Sequence, residues 1–146
     1  MTTVVDTNVL VALWDSDDTT SRLAQSALDA ALNHGSLVIP APVFSELMAL
    51  PQRTEAFLDK FLRETGIVVE WRLPEAVWRE AGKAFGAYAL RRRRQREILA
   101  PFKQPEPRRI LADFLIGAYA AHNGFPLLTL DRRIYRAIPG IKLVVP

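Results

Sequence analysis

The chain has no cysteine. That excludes a disulfide framework, thiol catalysis and any zinc site built on thiolates, and it suits a reducing cytosol. Long apolar runs are also missing. The hydrophobic stretches are short and broken by charges, so none is expected to span a membrane. The first residues show neither a basic n-region nor an apolar h-region, so no secretory signal is expected, and the expected compartment is the cytoplasm. Histidine is scarce. His34 and His122 each sit beside Asn and Gly where a helix should end, which reads as capping or surface placement rather than general-base chemistry. No G-x-G-x-x-G follows the first strand, which argues against a dinucleotide-binding domain.

What is present is 146 residues, 49% of them hydrophobic, enough for one domain over 1–146 with a sizeable core. The net charge of +3 hides an asymmetry. Residues 1–70 hold ten acidic and four basic side chains, whereas residues 71–146 hold six acidic and fifteen basic ones. The excess is concentrated in RRRRQREILAPFKQPEPRR, residues 91–109, and suggests a polyanionic partner. The Arg run occupies consecutive positions, so it should wrap around a helix rather than form one basic face.

Periodicity alternates strand and helix. Strands are expected at about 3–6, 37–40, 66–71, 125–130 and 141–145. Helices are expected at about 8–15, 20–33, 41–50, 54–65, 74–94, 108–124 and 131–138, with Pro42 tolerated in a first turn and Asn123-Gly124 closing a C-terminus. The segment around Pro101, Pro105 and Pro107 reads as a loop. Five short apolar strands separated by helices imply an α/β fold with a mainly parallel sheet.

Four carboxylates then stand out. In an open parallel sheet, ligands bind beyond the carboxyl ends of the strands, near a switch point in strand order. Asp6 ends the first strand and Asp131 follows the fourth, so both overhang one crevice if those strands are neighbours. The commonplace role for Asp6 is a helix N-cap. Asp113 has Ile110, Ile116 and Gly117 at helical neighbour positions, where an unpaired carboxylate is costly to bury. The commonplace partner for it is Arg109, four residues earlier. Glu46 sits between Val43, Leu47 and Leu50 with no basic residue three or four positions away, and a solvated helix edge is its commonplace reading. Asp15, Asp17 and Asp18 read as a solvated helix end. Carboxylates crowded into one cleft repel each other, and oxygen-only donors suit Mg²⁺ or Mn²⁺.

The ordered set, DTNVL at the start, SEL at Glu46, Asp113 in a helix of small and apolar residues, then T-x-D at Thr129–Asp131, resembles PIN-domain ribonucleases. It is most similar to the VapC-type toxins of toxin–antitoxin pairs. The resemblance runs through the whole chain to the closing IPGIKLVVP, and its specificity lies in the set rather than in any one motif. It implies a three-layer fold with strand order 3-2-1-4-5 and a Mg²⁺ or Mn²⁺ site from Asp6, Asp113 and Asp131, with Glu46 as a further ligand or water-orienting residue. Thr7, Asn8 and Thr129 match supporting polar positions, although capping is the simpler role for Thr7. It implies hydrolysis of RNA phosphodiesters, a cognate antitoxin and a homodimer. The basic 91–107 stretch is longer than in a minimal toxin.

Arg91, Arg92, Arg93, Arg94, Arg96, Lys103, Arg108 and Arg109 are candidates to attract an RNA backbone, or else simply a solvated charge run. Arg132 and Arg133, directly after Asp131, are better placed to touch a phosphate. Tyr135 and Trp14 offer base stacking, with core packing the simpler role. Among rivals, a receiver domain wants an acidic pair after strand one, and a haloacid-dehalogenase-like phosphatase wants D-x-D where Asn8 stands. The non-enzyme alternative is an inactive PIN-like module that binds RNA or protein; binding alone would not require four carboxylates.

Overall fold

The computed structural model describes residues 1–98, 108–136 and 138–146. The loop predicted around Pro101, Pro105 and Pro107, with Lys103, lies outside the described residues. Five strands form one parallel sheet: β1 (Thr2–Val5), β2 (Ser36–Pro40), β3 (Val68–Glu70), β4 (Leu127–Leu128) and β5 (Leu143–Val144). Their order is β3-β2-β1-β4-β5, as expected. Val4 pairs with Val38 on one side and Leu127 on the other, so β1 is central. Val4, Val5, Leu127 and Leu128 are buried, the continuous apolar run of a strand covered on both faces. The edge strands are short and wetter, with Val68 and Val144 exposed.

Among the described residues, seven helices flank the sheet: α1 (Thr7–Leu13), α2 (Asp18–His34), α3 (Ala41–Leu47), α4 (Glu55–Thr65), α5 (Glu75–Ile98), α6 (Leu111–Asn123) and α7 (Arg132–Tyr135). Helix α5 packs along α6, α1 packs on α2, and α3 touches both α1 and α6. Each has a local cause. Pro42 lies in the first turn of α3, Thr54 caps α4 through Phe57 N–H, and Gly124 closes α6 in the left-handed region at φ 66°. Trp14 stands at the end of α1, edge-on to Phe57 and Phe61, which settles it as a packing residue.

Several boundaries differ from expectation by two residues or more, and three bear on the site. Helix α3 stops at Leu47, three residues short of the end expected from its apolar pattern, because Met48–Leu50 turn away through short-range bonds. Helix α5 continues through the Arg run to Ile98. Helix α6 starts at Leu111 rather than Arg108, because the Arg109 N–H is taken by the Tyr88 hydroxyl at 2.7 Å. Ile110, in extended conformation, becomes the N-cap.

Candidate functional site

β1 and β4 are the neighbours at which the chain's winding reverses, so the crevice sits at their carboxyl ends. Asp6 extends the β1–β4 ladder by one bond, donating its N–H to Leu128 O at 2.9 Å, and then caps α1. Its carboxylate is buried. Oδ1 accepts the Thr7 N–H and Oδ2 accepts the Thr129 hydroxyl, each at 2.8 Å. Thr129 is itself a hub: its Oγ1 accepts Asn8 Nδ2 at 3.2 Å and Asp131 N–H at 3.1 Å. Asn8 Oδ1 closes the ring by accepting Leu130 N–H at 3.0 Å. The polar residues after β1 and β4 are thus knitted into one network that fixes the plane of the Asp6 carboxylate.

From α3, Glu46 accepts the Thr7 hydroxyl at 2.6 Å, so Thr7 does more than cap. Asp113 stands in the first turn of α6, where its Oδ2 takes the Ile110 N–H at 3.0 Å. Ile110 has no side-chain acceptor to return, so only this half of a capping box exists. Asp6, Thr7, Asn8, Glu46 and Asp113 line one cleft of about 450 Å³. Asp131 is outside that lining. It caps α7 through Arg133 N–H at 3.0 Å and pairs with the Arg133 side chain at 3.5 Å.

The electrostatics follow from burial. Desolvation raises the Asp6 carboxyl from 3.8 to about 6, against the lowering pull of the Thr129 and Thr7 bonds. Burial also raises Glu46 and Asp113, and the Asp113 charge adds to the rise at Glu46 and at Asp6. Arg109 attracts Asp113 from beyond ion-pair distance, so the commonplace alternative, an Arg109–Asp113 pair, does not form. Among the described residues, no Lys or Arg pairs with Asp6, Glu46 or Asp113. Nor, among them, do three acidic or histidine side chains stand close enough to form a ready coordination shell.

The basic candidates separate. Arg132 and Arg133 are exposed at the start of α7, directly after Asp131. Arg91 lines a different hollow, between α5 and α6, while Arg93 and Arg94 are exposed on α5. Arg92 lies 5.9 Å from the Tyr88 ring centre. Arg109 is a correction: it is buried, with its guanidinium over the Tyr88 and Phe114 rings and its Nη2 donating to Arg133 O at 3.0 Å. It supports α7 from beneath and cannot meet an RNA backbone. Sequence reasoning also missed Asp15. It lines the cleft, four residues after Val11 and eight after Thr7, a helical spacing that could have found it. Of the histidines, His34 Nδ1 bonds Ala30 O at 2.7 Å at the end of α2.

An open parallel sheet with a carboxylate cleft at the strand ends defines an α/β protein whose site lies at its topological switch point. Residues 3–138 match the PIN domain, and the chain belongs to that family. No curated protein matches the chain significantly by sequence. Solved structures share its fold at low identity. VapBC2 from Rickettsia felis, bound to a DNA fragment from its promoter, gives a TM-score of 0.64 at 18% identity, covering 100% of this chain and 99% of that one. A toxin–antitoxin complex from Klebsiella pneumoniae gives 0.66 at 18% identity, with 99% and 97% coverage. VapBC-1 from nontypeable Haemophilus influenzae gives 0.64 at 16% identity, with 99% and 98% coverage.

Proposed function

We propose that the chain is a metal-dependent endoribonuclease, the toxin of a toxin–antitoxin pair. The observation that carries this reading is the convergence of Asp6, Glu46 and Asp113 on one cleft, where burial raises all three carboxyls and no cation among the described residues pairs with them. Uncompensated charge of that kind suits a hard cation. Mg²⁺ typically keeps several waters and takes only one or two carboxylates, so the donor set fits although three acids do not yet form a shell. The neighbouring toxin–antitoxin structures add support, as does the PIN domain match.

Asp6 and Asp113 would be the central holders of Mg²⁺ or Mn²⁺, with Asp131 completing the site directly or through water. Such a cation supplies Lewis-acid polarisation of a phosphodiester and acidifies a water. The chain's own residues do the rest. Thr129 and the Thr7 N–H hold Asp6 in one orientation. The Thr7 hydroxyl fixes Glu46, whose carboxylate would bind the cation or orient the attacking water. Asn8 ties the end of β4 to α1, keeping Asp131 in register with Asp6. Arg132 and Arg133 would meet RNA phosphates at the α7 side, with Arg91, Arg92, Arg93 and Arg94 contributing a sequence-blind attraction. An antitoxin would cover the cleft, the toxin would act as a homodimer, and the compartment would be the cytoplasm.

The test is cleavage of a mixed pool of structured RNAs by purified protein with Mn²⁺, with Mg²⁺ and with chelator, beside Asp6→Asn and Asp113→Asn. The expected result is metal-dependent cutting that both substitutions abolish. Cutting that survives both would sink the assignment. Absence of both cutting and metal binding would leave the binding-only module as the better reading.

A further inference from the structure

Arg109 precedes α6 and is only 6% exposed. Among the described residues, no carboxylate stands within ion-pair distance of it, and its buried Nε and Nη1 find no hydrogen-bond partner. A buried guanidinium so poorly compensated is costly, and methionine would fill much the same space without that cost. The geometry shows what the group does there. Its central carbon lies over two rings, 5.5 Å from the centre of Tyr88 on α5 and 5.7 Å from that of Phe114 on α6. Cation–π attraction to both holds it in place. From that seat Nη2 reaches α7 and donates to Arg133 O at 3.0 Å, a carbonyl that a helix of one turn cannot satisfy by itself.

Arg133 is thereby held at both ends of its backbone. Its carbonyl takes Arg109, and its N–H donates to Asp131 Oδ1 at 3.0 Å. The main chain of Arg109 works on the other side of the cleft. Its N–H is taken by the Tyr88 hydroxyl at 2.7 Å, and the next N–H, that of Ile110, goes to Asp113 Oδ2 at 3.0 Å. We propose that Arg109 is a positioning residue: its guanidinium, seated on the Tyr88 and Phe114 rings, clamps α7 through the Arg133 carbonyl and so fixes Asp131 relative to Asp113. A planar guanidinium suits this role, because lysine offers a point charge and no plane to lay on a ring. Arg109 touches neither the RNA nor the reacting atoms; it acts through Arg133 and Ile110. The inference rests on the reading of the cleft as a metal-dependent nuclease site.

The experiment uses the full chain with Arg109→Met, which lacks donor and charge, and Arg109→Lys, which keeps both. Residue-resolved amide exchange by nuclear magnetic resonance, without metal, reads the clamp. The Arg133 amide should exchange about tenfold faster in Arg109→Met while the amides of β1 and β4 do not change, and Arg109→Lys should recover part of the protection. With Mn²⁺, kcat for RNA cleavage should fall about tenfold in Arg109→Met at a KM within about twofold, again partly restored by lysine. Unchanged exchange at Arg133, or faster exchange spread evenly over β1 and β4, overturns the proposal and leaves Arg109 a packing residue. A raised KM at unchanged kcat also overturns it, in favour of an RNA contact. If the wild type neither binds Mn²⁺ nor cuts, the nuclease reading fails separately, and exchange at Arg133 alone decides the clamp. In the wild type, the two Arg109 Nη groups should give separate, slowly exchanging signals, as a clamped guanidinium does. A single rotation-averaged signal overturns the proposal even if Arg109→Met folds poorly.

Discussion

Two hollows of almost equal size share helix α6. The cleft at the strand ends measures about 450 Å³ and the groove between α5 and α6 about 470 Å³. Asp113 belongs to the first, while Phe114, Ala118, Ala121 and His122 line the second. A single residue step, about 100° around the helix, separates a carboxylate from an apolar stripe. Volume does not distinguish the two. In the cleft Asp6, Glu46 and Asp113 are each held by a named donor and each raised by burial. In the groove, Glu80 pairs with Lys83 at 3.2 Å on the surface, and such exposed pairs contribute little. Buried, oriented charge marks a site better than an opening does.

The largest expected effect lies in the cleft. Asp6→Asn or Asp113→Asn should cut RNA cleavage by about a thousandfold, the several kcal/mol that a cation's charge stabilisation supplies. Ala87→Glu, which fills the groove, should leave it within about twofold. Comparable losses from both would erase the distinction.

Next comes pH. Burial gives the Asp6 carboxyl a folded value of about 6 against 3.8 unfolded. Between those values the folded chain keeps a proton that the unfolded chain has released, so the Asp6 contribution to metal-free stability is greatest below about pH 4 and falls until about pH 6. Asp6 contributes about 2–3 kcal/mol to that fall. Denaturant unfolding at pH 4, 5, 6 and 7 should show the decline, reduced in Asp6→Asn; Glu46 and Asp113, also raised, account for a remainder of the same sign. A curve rising with pH would contradict the buried-carboxylate account.

A smaller effect is expected at the wall between the hollows. Gly117→Ala would press on Ile138 and Tyr135 and should cost about 1–3 kcal/mol by overpacking, read from the denaturation midpoint. The smallest concerns RNA affinity. Arg132→Gln should weaken binding about two- to fivefold and lower the logarithmic salt slope by about 0.7, more than Arg93→Gln does. Equal effects would place the RNA path along α5 instead.

Much of this was legible in order along the chain. Twelve elements follow from periodicity and punctuation because a strand buried on both faces must be an apolar run and a helix must repeat at 3.6 residues. Asp6 and Asp131 were visible because they end apolar segments, and Glu46 and Asp113 because they interrupt apolar helical faces. Strand order 3-2-1-4-5 was available only through resemblance, since no local pattern states which strands are neighbours.

What the sequence determined by itself was the set of elements and the acidic residues at their edges, since propensity, capping and apolar spacing act within a few residues. Only the tertiary structure decided which polar groups meet. It joined Asn8 and Thr129 across 121 positions and Thr7 and Glu46 across 39. It also buried Arg109 under α7. Those contacts depend on β1 lying between β2 and β4, and side chains brought together by sheet pairing leave no period in the sequence.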